Sequence, residues 1–581
     1  MGCKEKDFEV RNDHCDSSDG TIDEKKVHPS TNCDAIVAGG GAEVSAKSEG
    51  EPSQHPDSPR SRIEIMLIML ALCLAVFLAA LDVTIVATAI PTISSYFNSN
   101  QGYIWIGSAY TLGSAAFVPT WGKISDIFGR KPILILCVAI FWIGSLLCAV
   151  SINVKMLIAG RIIQGIGSGG IIVLPSICVS DLFSIRKRGA YFSILGMVWA
   201  VASAIGPILG GAFSERVSWR WCFYINLPLS GISMLILIFV LKLYNPRTPI
   251  REGLVAIDWL GSLLAIGGTV MILLGLQFGG VQFPWASVTV ICLIVFGTGT
   301  IGLFILCEAK YASYPIMPVR LFSTANNFCA YVLTFMHSLV VLSVTFFLPL
   351  YFQSVLGASP LLSGCFLLPF ALALSIVLCL TGAFIRKTGI YKLPIAIGMF
   401  ITALGIGLFT DLGNSENLTK IILFLIITGA GLGFNFQAPL IALQTNAAPG
   451  DIAAATSAFS FTRQLGNSIS VVIGGSIFNN EMKKQHSRLL EELGPQAVTQ
   501  FAGPEAASMS RAIVRLNSHD AKIVRGAYWD SLQRIYIVFS CFAFIGFLLS
   551  FGIRQTRLNK DHEEHKTGLR SLVHERAKAS D

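Results

Sequence analysis

The chain has 581 residues, of which 13% are charged and 53% are apolar, with a mean hydropathy of +0.64. That is too little charge to cover the several soluble domains such a length would otherwise make. A net charge of +8 could address nucleic acid, but the basic residues sit in short clusters between apolar blocks, a pattern that belongs to membrane orientation and excludes a nucleic-acid partner. The fourteen cysteines form no CxxC pair, no His/Cys cluster has metal spacing, and no Gly-x-x-x-x-Gly-Lys-Ser/Thr string marks a nucleotide site, so neither metal nor cofactor is expected.

Residues 1–64 are rich in Ser, Asp, Glu, Lys and Gly and read as a disordered cytoplasmic N-terminus. No apolar core follows Met1, so they are not a signal peptide. Met1-Gly2-Cys3 invites acylation, but Lys6 stands where the myristoylation pattern needs Ser or Thr. Apolar blocks then recur near 66–90, 103–121, 133–151, 156–179, 190–213, 221–243, 258–277, 286–308, 328–352, 361–385, 393–411, 420–443, 453–478 and 534–553. Each is about the length that crosses a ~30 Å hydrocarbon core as a helix, which predicts an all-α polytopic membrane protein with fourteen spans.

The loops support that count. With the N-terminus inside, the short inner loops hold fourteen Lys and Arg residues and the short outer loops hold four: Lys155, Arg216, Arg220 and Lys420. Both termini are then cytoplasmic, the tail 554–581 included. The one sequon, Asn417-Leu418-Thr419, falls in an outer loop and makes Asn417 a candidate glycosylation site. The long segment 479–533 also falls outside.

The two ends of the chain repeat each other. Leu81-Asp82-Val83-Thr84 recurs as Leu342-Ser343-Val344-Thr345, and Gly122 and Gly129 recur as Gly382 and Gly389. The string from Ile162 to Gly169, followed by Pro175, recurs from Ile426 to Gly433, followed by Pro439, and Gly210-Gly211 recurs as Gly474-Gly475. This predicts a six-helix bundle over 65–243, two inserted helices over 258–308, and a second six-helix bundle over 328–553. The repeats keep the same in/out sense, an arrangement in which a substrate lies between two halves that rock against each other.

Four groups of residues carry candidate chemistry. Asp82 lies deep in the first block, where a carboxylate costs ~2.5–3.5 kcal/mol to insert, and its repeat partner is Ser343, so the fold does not require the acid. It is a natural proton carrier, and Arg161, which cannot discard its own proton, is its candidate partner. In the loop from Gly122 to Pro132, Gly122 and Gly129 permit a tight reversal, while Asp126 can pair with Arg130, next to Lys131, or cap the following helix. Such a loop can latch one conformational state. Gly206, Pro207, Gly210 and Gly211 combine a missing backbone donor with close helix packing. Finally, Tyr110, Gln164, Trp199, Asn435, Gln437, Arg463 and Gln464, with Asn467, are intramembrane polar or aromatic residues that can line a cavity.

At these strings the sequence resembles the major facilitator superfamily, and within it the fourteen-span drug:proton antiporters. The carriers are Leu81 to Val86, the loop around Asp126, Arg161 to Gly170, and Gly206 to Gly211. The strings Trp219 to Pro228 and Tyr351 to Gly357 are similar to those of fungal toxin and azole efflux pumps. The resemblance spans about residues 65–555. Ala87-Thr88-Ala89 departs from the first-span pattern, which frequently has Asn and Val there.

The resemblance implies a monomeric, proton-coupled secondary transporter, not an enzyme, that exports small hydrophobic or amphipathic molecules across the plasma membrane. Its partners would be that small-molecule substrate, protons and the lipid bilayer. Vacuolar basic amino acid transporters are similar as well, so a vacuolar membrane and a cationic substrate on Asp82 stay open. A non-transporting sensor fits less well, because the tail is only about 28 residues.

Overall fold

A computed structural model describes residues 61–558, apart from 98–99, 242, 244–245, 247, 281, 313, 415, 496–500, 502–512 and 514–515, together with Gly568. The expected disordered segment up to residue 60, part of the loop 479–533 and almost all of the tail lie outside the described residues.

The first set of helices is α1 (Arg62–Tyr96), α2 (Asn100–Phe128), α3 (Arg130–Ala149), α4 (Val154–Leu182), α5 (Ile185–Arg216), the single turn α6 (Trp221–Tyr224) and α7 (Asn226–Val240). A short α8 (Ile250–Ala256) leads to the pair α9 (Trp259–Phe278) and α10 (Val288–Lys310). The second set is α11 (Ala325–Ser354), α12 (Pro360–Phe366), α13 (Leu368–Thr388), α14 (Lys392–Phe409), α15 (Leu418–Asn435), α16 (Ala438–Thr445), α17 (Ile452–Lys484), α18 (His486–Leu493) and α19 (Ser518–Ser550). No strand occurs among the described residues, only one isolated bridge between Gly279 and Phe283.

The pairing within the two sets is the same. In the first, α1 packs on α5, α2 and α3 on α4, and α7 on α3 and α1; in the second, α11 packs on α17, α13 and α14 on α15, and α19 on α14 and α11. Glycines explain the closest of these seams. A Cβ on Gly165 or Gly169 of α4 would overlap the Tyr110 or Ser114 carbonyl of α2, and one on Gly429 or Gly433 of α15 would overlap the Phe370 or Leu374 carbonyl of α13. The repeated glycines therefore make backbone-to-backbone contacts, the main way helices gain packing energy in lipid. Between the sets, α5 meets α13 and α2 meets α17, while α9 packs on α10 and touches both α2 and α17.

Outward-facing apolar side chains such as Leu235, Phe239, Phe296, Leu372 and Phe544 are more than half exposed. That much apolar surface is a liability in water and a requirement in lipid. Twelve helices or helix pairs among the described residues are long and apolar enough to cross a membrane. The chain is a multi-pass membrane protein. Of the fourteen expected spans, the two not among these twelve correspond to α2 and α17, which have the length, 29 and 33 residues, but are less apolar than the rest.

Candidate functional site

Asp82, in the middle of α1, is fully buried. Its Oδ2 accepts from Arg161 of α4 at 2.6 Å, and its Oδ1 accepts from the amides of Gln164 and Asn226, each at 2.7 Å. Arg161 donates also to Gln164 Oε1 at 2.6 Å and to the Ile106 carbonyl at 2.9 Å, and its guanidinium lies 4.4 Å from the Tyr110 ring centroid. Gln164 donates a further hydrogen bond to Ser145 at 2.8 Å, and the Tyr110 hydroxyl pairs with Ser168 at 2.5 Å. Every neighbour of Asp82 offers it a hydrogen, so the cluster is complementary to a carboxylate. One acceptor in it is idle, since Asn226 Oδ1 is buried without a partner.

A cavity opens between the two sets of helices, on the other side of α1 from this cluster. Val83 and Thr84 reach it and Asp82 does not. Its wall is mainly apolar, with Trp199, Gln437, Ser460, Arg463, Gln464 and Asn467 as the notable polar or amphipathic members. Four of these six come from one face of α17. Gln464 donates to Ser114 of α2 at 3.3 Å, so the two polar helices meet at the cavity edge.

At one end of the bundle the sets are bolted together. Arg186 donates to the carbonyls of Arg386 and Lys387 at 3.0 and 2.7 Å, and Arg188 donates to Gln444 Oε1 at 3.1 Å. Gln444 donates in turn to Ser180 and Thr456, both at 2.8 Å, and Ser193 donates to the Leu378 carbonyl at 2.9 Å. The α2–α3 loop sits at this same end. Gly129 turns it with φ of 96°, a left-handed conformation that a Cβ disfavours. Asp126 pairs with Arg130 at 2.5 Å, and Arg130 also binds Asp181 at 2.8 Å and Ser125 at 2.7 Å. Of the two roles open to Asp126, ion pair or helix cap, the geometry has the ion pair. Lys131 donates to the Ile238 carbonyl at 2.7 Å, and Gly122 lies directly against Ser457 of α17.

The model of the Major Facilitator Superfamily matches residues 72–471. The chain belongs to that superfamily. Among relatives of this facilitator, the "Efflux pump dotC" of Dothistroma septosporum is 49% identical over 505 residues, covering 87% of each chain. The "MFS-type transporter ppz2" of Metarhizium majus is 48% identical over 513 residues, 88% of each. The "MFS-type efflux pump LUC4" of a Fusarium species is 34% identical over 92% of this chain and 95% of its own. Two solved facilitators share the fold: the human organic anion transporter MFSD10 and the proton:xylose symporter XylE, each with a TM-score of 0.53 at 15% and 16% identity. They cover 84% and 85% of this chain and 99% and 98% of their own.

The facilitator fold distributes the sequence-selected residues unevenly. Asp82 and Arg161 meet. Trp199, Gln437, Arg463 and Gln464 reach the cavity, but Tyr110, Gln164 and Asn435 do not. Tyr110 and Gln164 face the Asp82 cluster inside the first set, and Asn435 sits between α15 and α14, its amide against the Ile395 carbonyl at 3.2 Å. Gly206 and Gly210 lie against Thr84 and Ile85 of α1, Pro207 reaches the cavity, and Gly211 faces open space. Asn417 is exposed and caps α15 by accepting from the Lys420 N–H through its Oδ1. Asn226 escaped the sequence reading although it lies in the quoted string from Trp219 to Pro228. Its signal was an amide inside an apolar block, the same signal that marked Gln164.

Proposed function

We propose that this facilitator is a proton-coupled exporter of small hydrophobic or amphipathic organic molecules, with fourteen spans arranged as two six-helix bundles and an inserted pair. The observation that carries the reading is the separation of two sites. A buried Asp82–Arg161 pair lies within one bundle, and a largely apolar cavity lies between the bundles. Efflux as the direction is supported by the names of the relatives.

In this scheme the proton is carried on Asp82. A protonated Asp82 has a hydrogen and no acceptor facing it, because Arg161, Gln164 and Asn226 all donate. Taking up the proton therefore requires Arg161 to withdraw or the Asn226 amide to turn its idle Oδ1 inward. Either movement disturbs the seams of α1 with α4 and α7, so protonation acts on the shape of the bundle rather than on the cargo. The bolts through Arg186, Arg188 and Gln444 hold the end of the bundle that carries the α2–α3 loop, which we assign to the cytoplasm from the basic loops.

The energy is adequate. A potential of ~100 mV supplies ~2.3 kcal/mol per proton and two pH units roughly 2.7, enough for a neutral solute gradient above about a thousandfold by one-for-one exchange. We place the protein in the plasma membrane as a monomer, with Asn417 outside and open to glycosylation. The vacuolar reading, with a basic amino acid bound to Asp82, is disfavoured because Asp82 does not reach the cavity and no acidic residue among those described lines it.

The test is gradient-driven transport of fluorescent amphipathic compounds by the full chain in proteoliposomes, wild type against Asp82→Asn. Collapse with an uncoupler and loss in the variant, with cargo still bound, are expected. Transport indifferent to the gradient sinks the antiport reading, and transport surviving the substitution moves the proton site elsewhere.

A further inference from the structure

We propose that the cavity is built for organic anions, with the Arg463 guanidinium receiving the carboxylate, phenolate or enolate of an otherwise apolar cargo; the inference rests on the export reading above. Among the described residues, Arg463 is the only formally charged side chain lining the cavity. The three arginines that are buried among the described residues are matched with acceptors: Arg130 with Asp126 and Asp181, Arg161 with Asp82, and Arg188 with Gln444 and the carbonyls of Phe183 and Ser180. Arg463 has neither an acidic partner nor a hydrogen-bond acceptor among the described residues. What it has is a ring, with the guanidinium 3.9 Å from the Phe436 centroid and 5.9 Å from that of Phe459.

That arrangement suits a binding group better than a brace. A cation at membrane depth is costly unless something answers its charge. Stacking on Phe436 occupies the face of the guanidinium plane and holds it in one orientation. The edge, with its five N–H donors, is left free, and it is the edge that matches a carboxylate. Ser460 and Asn467, one turn to either side on α17, border the same wall and add hydrogen-bonding groups beside the charge. Much of the remaining wall, Val76, Trp199 and Leu374 included, is apolar or aromatic and accepts the body of such a molecule. A cationic cargo meets a like charge here and no acid to balance it.

The experiment compares two dyes of one ring system, fluorescein, which is an anion, and rhodamine 6G, which is a cation. Binding is measured by fluorescence polarisation on the detergent-solubilised full chain, and gradient-driven transport is measured in proteoliposomes by chromatography of the lysed vesicles. Wild type is expected to bind and move fluorescein and to discriminate against rhodamine 6G. Arg463→Gln should weaken fluorescein by about ten- to a hundredfold, the range of one charge-assisted hydrogen-bonded contact. It should also relieve the exclusion of rhodamine 6G, a gain that a misfolded variant cannot show. Arg463→Lys, which keeps the charge and loses the fork, should fall between them.

Wild-type binding of rhodamine 6G as tight as that of fluorescein, binding of neither dye, or a fluorescein affinity unmoved in Arg463→Gln overturns the proposal. Fluorescein binding that depends on Arg463 without gradient-driven transport supports the anion site and removes the antiport reading instead, so the two failures are distinguishable. Should Arg463→Gln fail to fold, the two-dye comparison on wild type alone decides.

Discussion

Arg161→Met is the substitution that asks most of the Asp82 cluster. It keeps a long apolar stem against Tyr110 but strips Asp82 Oδ2 of a cation 2.6 Å away, and it frees Gln164 Oε1 and the Ile106 carbonyl. At an effective dielectric of ~20 the pair attracts by about 6 kcal/mol, and desolvation of both ions opposes that gain. Leaving one buried charge without its partner costs about 3–5 kcal/mol. Asp82→Asn alone leaves Arg161 as the unpaired buried charge and costs about the same, 3–5 kcal/mol. Independent effects would sum to roughly 6–10 kcal/mol in the double variant. The pairing argument expects less than about 4, because no unpaired charge remains once both are neutral. The assay is thermal unfolding of the full chain in detergent, where the double variant should melt above Arg161→Met although neither transports. A double variant that melts at the sum of the two single shifts would show that Asp82 and Arg161 do not act as a pair.

Three further outcomes follow from the geometry. Asn226→Leu removes one of the two donors to Asp82 Oδ1 and the idle acceptor together, and should cut gradient-driven transport about tenfold or more while cargo binding, measured in detergent, stays near wild type. Gly165→Ala pushes a methyl into the Tyr110 carbonyl and should cost about 1–3 kcal/mol by thermal unfolding, whereas Gly211→Ala, which faces open space, should be neutral. Gln444→Leu unbolts Arg188, Ser180 and Thr456 at once and should lengthen the distance between spin labels at the exposed positions 187 and 387, read by double electron–electron resonance; an unchanged distance distribution would show that this network does not hold the end closed.

The membrane character and the helical class were legible because they are set by block length and by the scarcity of charge. So was the pairing of Asp82 with Arg161, since two opposite charges at membrane depth each need an answer and few others are available. What the sequence could not show was facing. A polar residue in a span has three surfaces to choose from: its own bundle, the cavity or lipid. Polarity alone excludes only the last. Tyr110, Gln164 and Asn435 turned into their own bundles, while Arg463 and Gln464 turned to the cavity. Asn226 was missed for the same reason in reverse, as a neutral amide 144 positions from Asp82 with no local pattern to tie them.

The repeat makes the two halves of this molecule structural twins, yet their chemistry has diverged. The acid, its arginine and both amides belong to the first half, and the Arg463 charge in the cavity belongs to the second. On this reading the motor and the hold are on separate inheritance. Changes on α17 or around Phe436 can retune what is carried without touching what drives it, so a lineage that alters the compound it must expel can follow with a few substitutions in one half while the other stays as it is.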